Sequence, residues 1–262
     1  RAQVIAQVNT PRQRQRFLNA CRGKLCCGAT LPLALQLLGK AQPGRFFAGP
    51  TLALDIGGRT AWAAGHANPE ELASFLNFCG CHAVILDEAE CPPPVGWQKT
   101  CDHTIFGLAA GEQLPLPAQT EAQKALWDSL TFVEDPASGP VAENLFPDRP
   151  ARRDDFYSEL CTKRSRGKAL VWTLEQGGNI VCTVGAYALC NGQAYMACGQ
   201  TAEALRGQRV GGRLIVQMAN ALSAQGNQPV FLCSPERVHF YTQLGFHPLG
   251  TLARYESPIG KD

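Results

Sequence analysis

The chain has 262 residues, 45% of them hydrophobic and 18% charged, enough for one large or two small domains. A net charge of +2 is too balanced to point to a nucleic-acid or membrane partner. No run of about 18 apolar residues is present, so no transmembrane helix is expected. The N-terminal run RAQVIAQVNTPRQRQRF lacks an apolar core of signal-peptide length, and the chain reads as soluble, intracellular and cytoplasmic.

Twelve cysteines are many for this length, but their spacing carries no metal or redox signature. Cys26 and Cys27 are adjacent, and Cys79 and Cys81 are one residue apart. Neither makes the two-residue-spaced pair of zinc ribbons or redox motifs. Cys182, Cys190, Cys198 and Cys233 fall inside apolar runs, as small buried hydrophobes do. Reduced structural thiols and no metal are expected.

In chain order, residues 11 to 40 spell helices, with Phe17, Leu18, Cys21 and Leu25 on one face. TLALDI, Gly57-Gly58 and TAWAAG make a hairpin. Asn68-Pro69-Glu70-Glu71 opens a helix over LASFLNF: Asn68 can cap it, Pro69 suits the first turn, and Glu71 can close a capping box. HAVIL, 82 to 86, reads as a buried strand. The chain then turns proline-rich, through Pro92 to Pro94 and LPLP at 114 to 117, before a helix over EAQKALWDSL. Residues 135 to 150 read as a linker, which places one α/β domain at 1–140 and a second at 141–262.

The second half repeats the order. A helix over Asp154 to Lys163 precedes KALVWTLE, the turn at Gly177-Gly178, and IVCTVGAYALC. Asn191-Gly192 is a two-residue turn into the strand QAYMACGQT. Val210, Leu214, Ile215, Met218, Ala221 and Leu222 then recur at helical spacing, with Gly226 as the stop. The strand PVFLCS, a helix through PERVHFYTQL and a last strand, GTLARYES, complete the chain.

Between the strand and the long helix lie Arg206, Gly207, Gln208, Arg209, Val210, Gly211 and Gly212. Small residues let backbone N–H groups approach an anion, the helix N-terminus adds partial positive charge, and two arginines add charge-assisted contacts. An ordinary helix start, with glycine for tight packing, has the same spelling. Neither the nucleoside-triphosphate loop nor the dinucleotide fingerprint fits this run. It resembles the pyrophosphate loop of the GNAT acyltransferase family, Arg/Gln-x-x-Gly-x-Gly/Ala. Arg206 and Gly211 fit the first and last positions, and Arg209 stands where the middle glycine is usual. A second match, Phe240, Tyr241, Leu244, Gly245 and Phe246, follows about 30 residues on. The resemblance covers residues 150 to 262.

The resemblance implies a mixed, mostly antiparallel α/β sheet flanked by helices, and an N-acetyltransferase moving acetyl from acetyl-CoA to a primary amine by direct attack, with CoA as product. Arg206 to Gly212 would hold the pyrophosphate, and Arg237 would reach the nucleotide phosphates. Gly199, Gln200 and Thr201 would offer backbone groups to the amide arm of the cofactor, on a strand that splays from PVFLCS. A backbone N–H there would meet the developing oxyanion. Tyr241 matches the residue that protonates the departing thiolate, and a phenol of reference pKa about 10 keeps its proton at neutral pH. No general base is assigned: the strand from Gln193 to Thr201 has no carboxylate, and Glu203, Glu175 and Glu159 have little to recommend them. His239 reads as surface or core.

The first half has two carboxylates, Glu70 and Glu71, where the second has the cradle, so a single cofactor site is expected. The first half is then a degenerate copy of the same fold or an unrelated α/β lid. Phe46, Phe47, Trp62, Phe75 and Phe78 have core-like spacing, whereas Asp55, Glu88 and Glu90 read as solvated turn and loop acids. The acceptor is expected to be a small-molecule or peptide amine, and the chain a monomer or homodimer. The competing reading is a catalytically silent acyl-CoA-binding module that regulates or assembles. Transfer of a longer acyl chain stays open.

Overall fold

The computed structural model describes residues 4–258, without the Cys198 side chain; residues 1–3 of the N-terminal run lie outside the described residues. The chain forms two compact units. Unit 1 holds residues 4–106, 232–239 and 248–258, and unit 2 holds 107–231 and 240–247. The expected boundary near 140 falls inside unit 2. Its apparent linker contains a helix, Ser138–Leu145, with Val141 and Ala142 buried. Arg164 holds this segment by donating to the Pro136 carbonyl at 2.6 Å and to Ser138 Oγ at 2.8 Å.

Unit 1 opens with β1 (Ala6–Gln7), α1 (Pro11–Cys21) and α2 (Cys27–Leu38). Strands β2 (Phe46–Ala48), β3 (Thr51–Gly57) and β4 (Thr60–His66) follow, then α3 (Pro69–Phe78), β5 (Ala83–Leu86) and β6 (Gln98–Gly107). The β3–β4 hairpin closes at Gly57↔Thr60, with Gly58 at φ +61° in the turn. Helix α3 crosses over so that β5 pairs parallel to β4.

Unit 2 contains α4 (Glu121–Asp128), β7 (Thr131–Val133), α5 (Ser138–Leu145), α6 (Pro150–Ser165), β8 (Leu170–Gln176), β9 (Asn179–Cys190) and β10 (Gln193–Thr201). Then come α7 (Val210–Ala224), β11 (Gln228–Cys233), α8 (Val238–Gln243) and β12 (His247–Glu256), which returns to pair antiparallel with β5. Strands β8, β9 and β10 are antiparallel, and β11 is parallel to β10 across α7. Antiparallel strands, a crossover helix and a parallel strand thus occur in both units. The strand order is β1-β2-β3-β4-β5-β12-β6 in unit 1 and β11-β10-β9-β8-β7 in unit 2.

Each unit buries its own apolar cluster, around Leu52, Leu72, Leu76 and Leu86 in unit 1 and around Val141, Leu160, Val171 and Tyr187 in unit 2. The described cysteines are all free thiols. No helix among the described residues is long and apolar enough to cross a membrane.

Three expectations for unit 1 change. Asn68 caps α3 as expected, accepting from the N–H groups of Glu70 and Glu71, but Glu71 closes no capping box. Its carboxylate accepts instead from the Ile5 N–H at 3.2 Å. Asp55 is not a solvated turn acid: it lies inside β3, 6% exposed, gripped by Arg45 Nε at 2.5 Å and Nη2 at 3.1 Å. Phe78, at the end of α3, is 89% exposed rather than core.

Candidate anion cradle at the start of helix α7

Helix α7 presents Val210, Leu214, Met218 and Leu222 to the interior, with Ile215 and Ala221 half-buried. Its N-terminal residue Arg209 has φ +63° and ψ 12°, the left-handed conformation that glycine adopts without strain. Arg209 thus holds a conformation in which glycine would be unstrained, at a cost of about 1 kcal/mol. Arg209 Nη1 donates to the Ala118 carbonyl at 2.9 Å, which ties the left-handed residue to the segment ahead of α4.

Val210, Gly211 and Gly212 precede the first i→i−4 bond of the helix, Arg213 N–H to the Arg209 carbonyl at 3.0 Å, and no side chain caps them. Their amides sit at the positive end of a 15-residue helix. The glycines divide the work. Gly207, at φ +77°, faces open space. A Cβ on Gly211 would lie 2.5 Å from Thr201 Oγ1, and one on Gly212 would lie 3.2 Å from Leu244. Gly211 and Gly212 thus serve close packing, and the exposed face of the cradle belongs to Arg206, Gly207, Gln208 and Arg209.

Strand β10 supplies the second wall. Its parallel pairing with β11 runs from Gln193↔Gln228 to Met196↔Phe231, yet β10 continues to Thr201 along β9. The expected splay is present, and a shift in the β9 register between Ala197 and Gln200 bends the strand there. Gly199 and Gln200 are exposed beyond the last β11 pair. The Thr201 carbonyl accepts from Arg206 Nε at 3.1 Å, and its hydroxyl packs on Cys182 Sγ at 3.5 Å. Gln200 Nε2 reaches the Asn144 carbonyl at 3.4 Å.

Tyr241 sits on α8 with its ring 4.7 Å from that of Phe231, the last β11 residue paired to β10. Phe246 packs edge-on to Phe231 at 5.0 Å, and Phe240, 44% exposed, lies edge-on to Tyr241 at 5.0 Å. Arg237 lies in the turn Pro235–Arg237, within residues 232–239 of unit 1. His239 is exposed, as expected.

Two contributors had no place in the reading of the sequence. Phe231 marks the end of the parallel pairing. Residues 109–118 form a strap along α7: Asn220 accepts from the Leu114 N–H at 2.8 Å and donates to its carbonyl at 2.9 Å, and Ser223 Oγ donates to the Glu112 carbonyl at 2.6 Å. The LPLP run is the visible part of this strap, although nothing in it announces its partner helix.

No protein-family model and no curated protein matches the chain. Solved structures do. A GCN5-related N-acetyltransferase from Sphaerobacter thermophilus aligns over 96% of this chain and 94% of its own, at TM-score 0.62 and 13% identity. A tandem GNAT protein from the clavulanic acid biosynthesis pathway aligns over 99% of this chain and 98% of its own, at TM-score 0.63 and 13% identity. The chain has the GNAT fold. A third GNAT structure, from Kribbella flavida, covers 88% of this chain at TM-score 0.59 and 16% identity. These likenesses take in both units, so the GNAT-like arrangement is not confined to residues 150 to 262.

The α3 entrance in unit 1 differs from the cradle. Asn68 already occupies the amides of Glu70 and Glu71, and those two residues add negative charge. A pyrophosphate has no donors there.

Proposed function

We propose that the protein is an acetyl-CoA-dependent N-acetyltransferase acting on a small-molecule or peptide amine, with one cofactor site, in unit 2. The observation that carries this reading is the uncapped first turn of α7. It opens from a left-handed Arg209, and beside it β10 outruns β11. The uncapped amides and the two exposed arginines suit a diphosphate, and the strand edge beyond Met196 suits an amide-bearing arm.

Acetyl-CoA, when bound, supplies the acetyl group as a thioester. The amides of Val210 to Gly212 hold the phosphates, with the remaining N–H groups of Arg206 and Arg209. Thr201 and Ala118 fix those two arginines through one hydrogen bond each. Gly199 and Gln200 align the arm along the free edge of β10. Tyr241, seated on Phe231 where the two strands part, carries the proton that a departing thiolate needs.

Titration with acetyl-CoA followed by an acceptor-amine screen tests the reading. Turnover with a defined amine supports the enzyme; one-site binding without turnover across the panel supports the silent binding module.

A further inference from the structure

Strand β5 is four residues long, and both of its neighbours outrun it. Its parallel pairing with β4 ends at Trp62↔Ile85, and its antiparallel pairing with β12 ends at Ala253↔Leu86. Beyond Leu86, β4 continues through Ala63, Ala64 and Gly65, while Leu249 to Leu252 of β12 run opposite. The gap is a cavity of about 200 Å³ lying wholly within unit 1. That is the volume of about seven liquid waters, enough for a small organic molecule.

Ala63, Ala64, Ile105 and Leu252 give the cavity an apolar side, Lys24, Glu90 and Thr251 give it a polar one, and Asp87 lines it just after β5 ends. The amides at the start of α2 are spent. The N–H groups of Cys27, Gly28 and Ala29 at the start of α2 go to the carbonyls of Leu25, Lys24 and Cys26 at 2.7, 3.0 and 3.0 Å. Lys24 pairs with Glu90. The Cys27 thiol, pushed up to about 12 by burial and then by Asp55 and Asp87, stays neutral. Asp87 accepts the Ala89 N–H on Oδ1 at 2.9 Å, and no cation among the described residues pairs with it. The charges that line the cavity are then Asp87 and the Lys24–Glu90 pair, a net of one negative charge, which favours a cation over an anion.

The wall is held under strain. Cys26 has φ +62° and ψ −67°, the strained form of the γ-turn, closed by the Cys27 N–H to Leu25 carbonyl bond. This turn sets Leu25 and Cys27 against the cavity, and such strain persists where the surroundings over-determine it.

We propose that unit 1 carries a second small-molecule site, a pocket for a small aliphatic ammonium whose charge is bound by Asp87. The site is independent of the cradle in unit 2. Its ligand is a primary alkylamine of about five heavy atoms, with the ammonium on Asp87 and the chain between the edges of β4 and β12.

The test is calorimetric titration of the full chain with n-butylammonium at neutral pH, with butyrate as the isosteric anion. One saturable butylammonium site and no butyrate binding are expected. Asp87→Asn keeps an oxygen for the Ala89 N–H, so the fold should survive while the affinity falls at least tenfold. In Gly250→Leu, where a Cβ would meet Ile105 at an ordinary 3.7 Å, the added side chain should fill the slot and abolish binding. Arg206→Glu, in the cradle, should leave butylammonium binding unchanged. No binding to the native chain, equal binding of butyrate, or affinity unmoved by both Asp87→Asn and Gly250→Leu would overturn the proposal.

Discussion

The Tyr241 ring packs tilted, at 59° and 4.7 Å between centroids, on Phe231, the residue at which β11 stops pairing with β10. In the proposed reaction this contact would hold the proton donor where β10 and β11 part. Tyr241→Phe keeps the ring and removes the hydroxyl. The expected outcome in steady-state kinetics is a kcat lower by about 100-fold, with KM for acetyl-CoA unchanged. An unchanged kcat would remove Tyr241 from the proton path.

Gly211 and Thr201 form a coupled pair. A Cβ on Gly211 would lie 2.5 Å from Thr201 Oγ1, so Gly211→Ala should destabilise unit 2 by about 1–3 kcal/mol. Thr201→Ala removes the obstructing oxygen, and the nearest atom left, the Cβ of residue 201, lies at 3.8 Å. Urea unfolding of the two single variants and the double variant should show Thr201→Ala recovering most of the loss. Additive effects would mean the helix entrance relaxes elsewhere.

In unit 1, Asp55 is 6% exposed and depends on Arg45. Arg45→Ala leaves a buried carboxylate without its partner and should cost about 3–5 kcal/mol in chemical denaturation. The paired change Arg45→Met with Asp55→Leu should recover a large part of that loss.

Alkaline stability follows from the thiols. Burial raises the Cys27 thiol to about 12, and Cys81 and Cys91 each to about 11. An unfolded thiol titrates at about 8.5. The folded values are raised, so this stability is fully present below the unfolded value and is lost as pH rises through the folded ones. Each such thiol removes roughly 1.4 kcal/mol per pH unit in that window. Denaturation measured between about pH 9 and 11 should therefore show a shallower fall for Cys27→Ala than for the native chain. Parallel slopes would mean Cys27 ionises alike in both states.

Local chemistry was legible wherever the cause is local. Asn191 and Gly192, at φ +52° and +76°, close the hairpin their spelling announces, and Gly226, at φ +86°, follows the end of α7. The parting of β10 from β11 beyond Met196 is also where the sequence led one to expect it. What escaped depends on partners far along the chain. Strand β6, with Lys99 and Asp102 on it, lacks the apolar signature of a buried strand, and only its last residues are buried. Arg45 turns Asp55 into a buried ion pair, and Ile5 draws Glu71 away from its own helix cap. Arg164 binds Pro136 and Ser138 so that an apparent linker packs as a helix. Arg209 is the instructive case, since it stands where a glycine is expected and its backbone is left-handed, as glycine readily is.

Calorimetric titration with acetyl-CoA, run on the native chain and on Arg206→Glu, bears most directly on the central claim. The account predicts one micromolar site per chain and at least a tenfold loss in the variant, since a repulsive carboxylate replaces a charge-assisted donor worth about 1.5–3 kcal/mol. No binding by the native chain, a second site per chain, or an affinity indifferent to Arg206→Glu would contradict it.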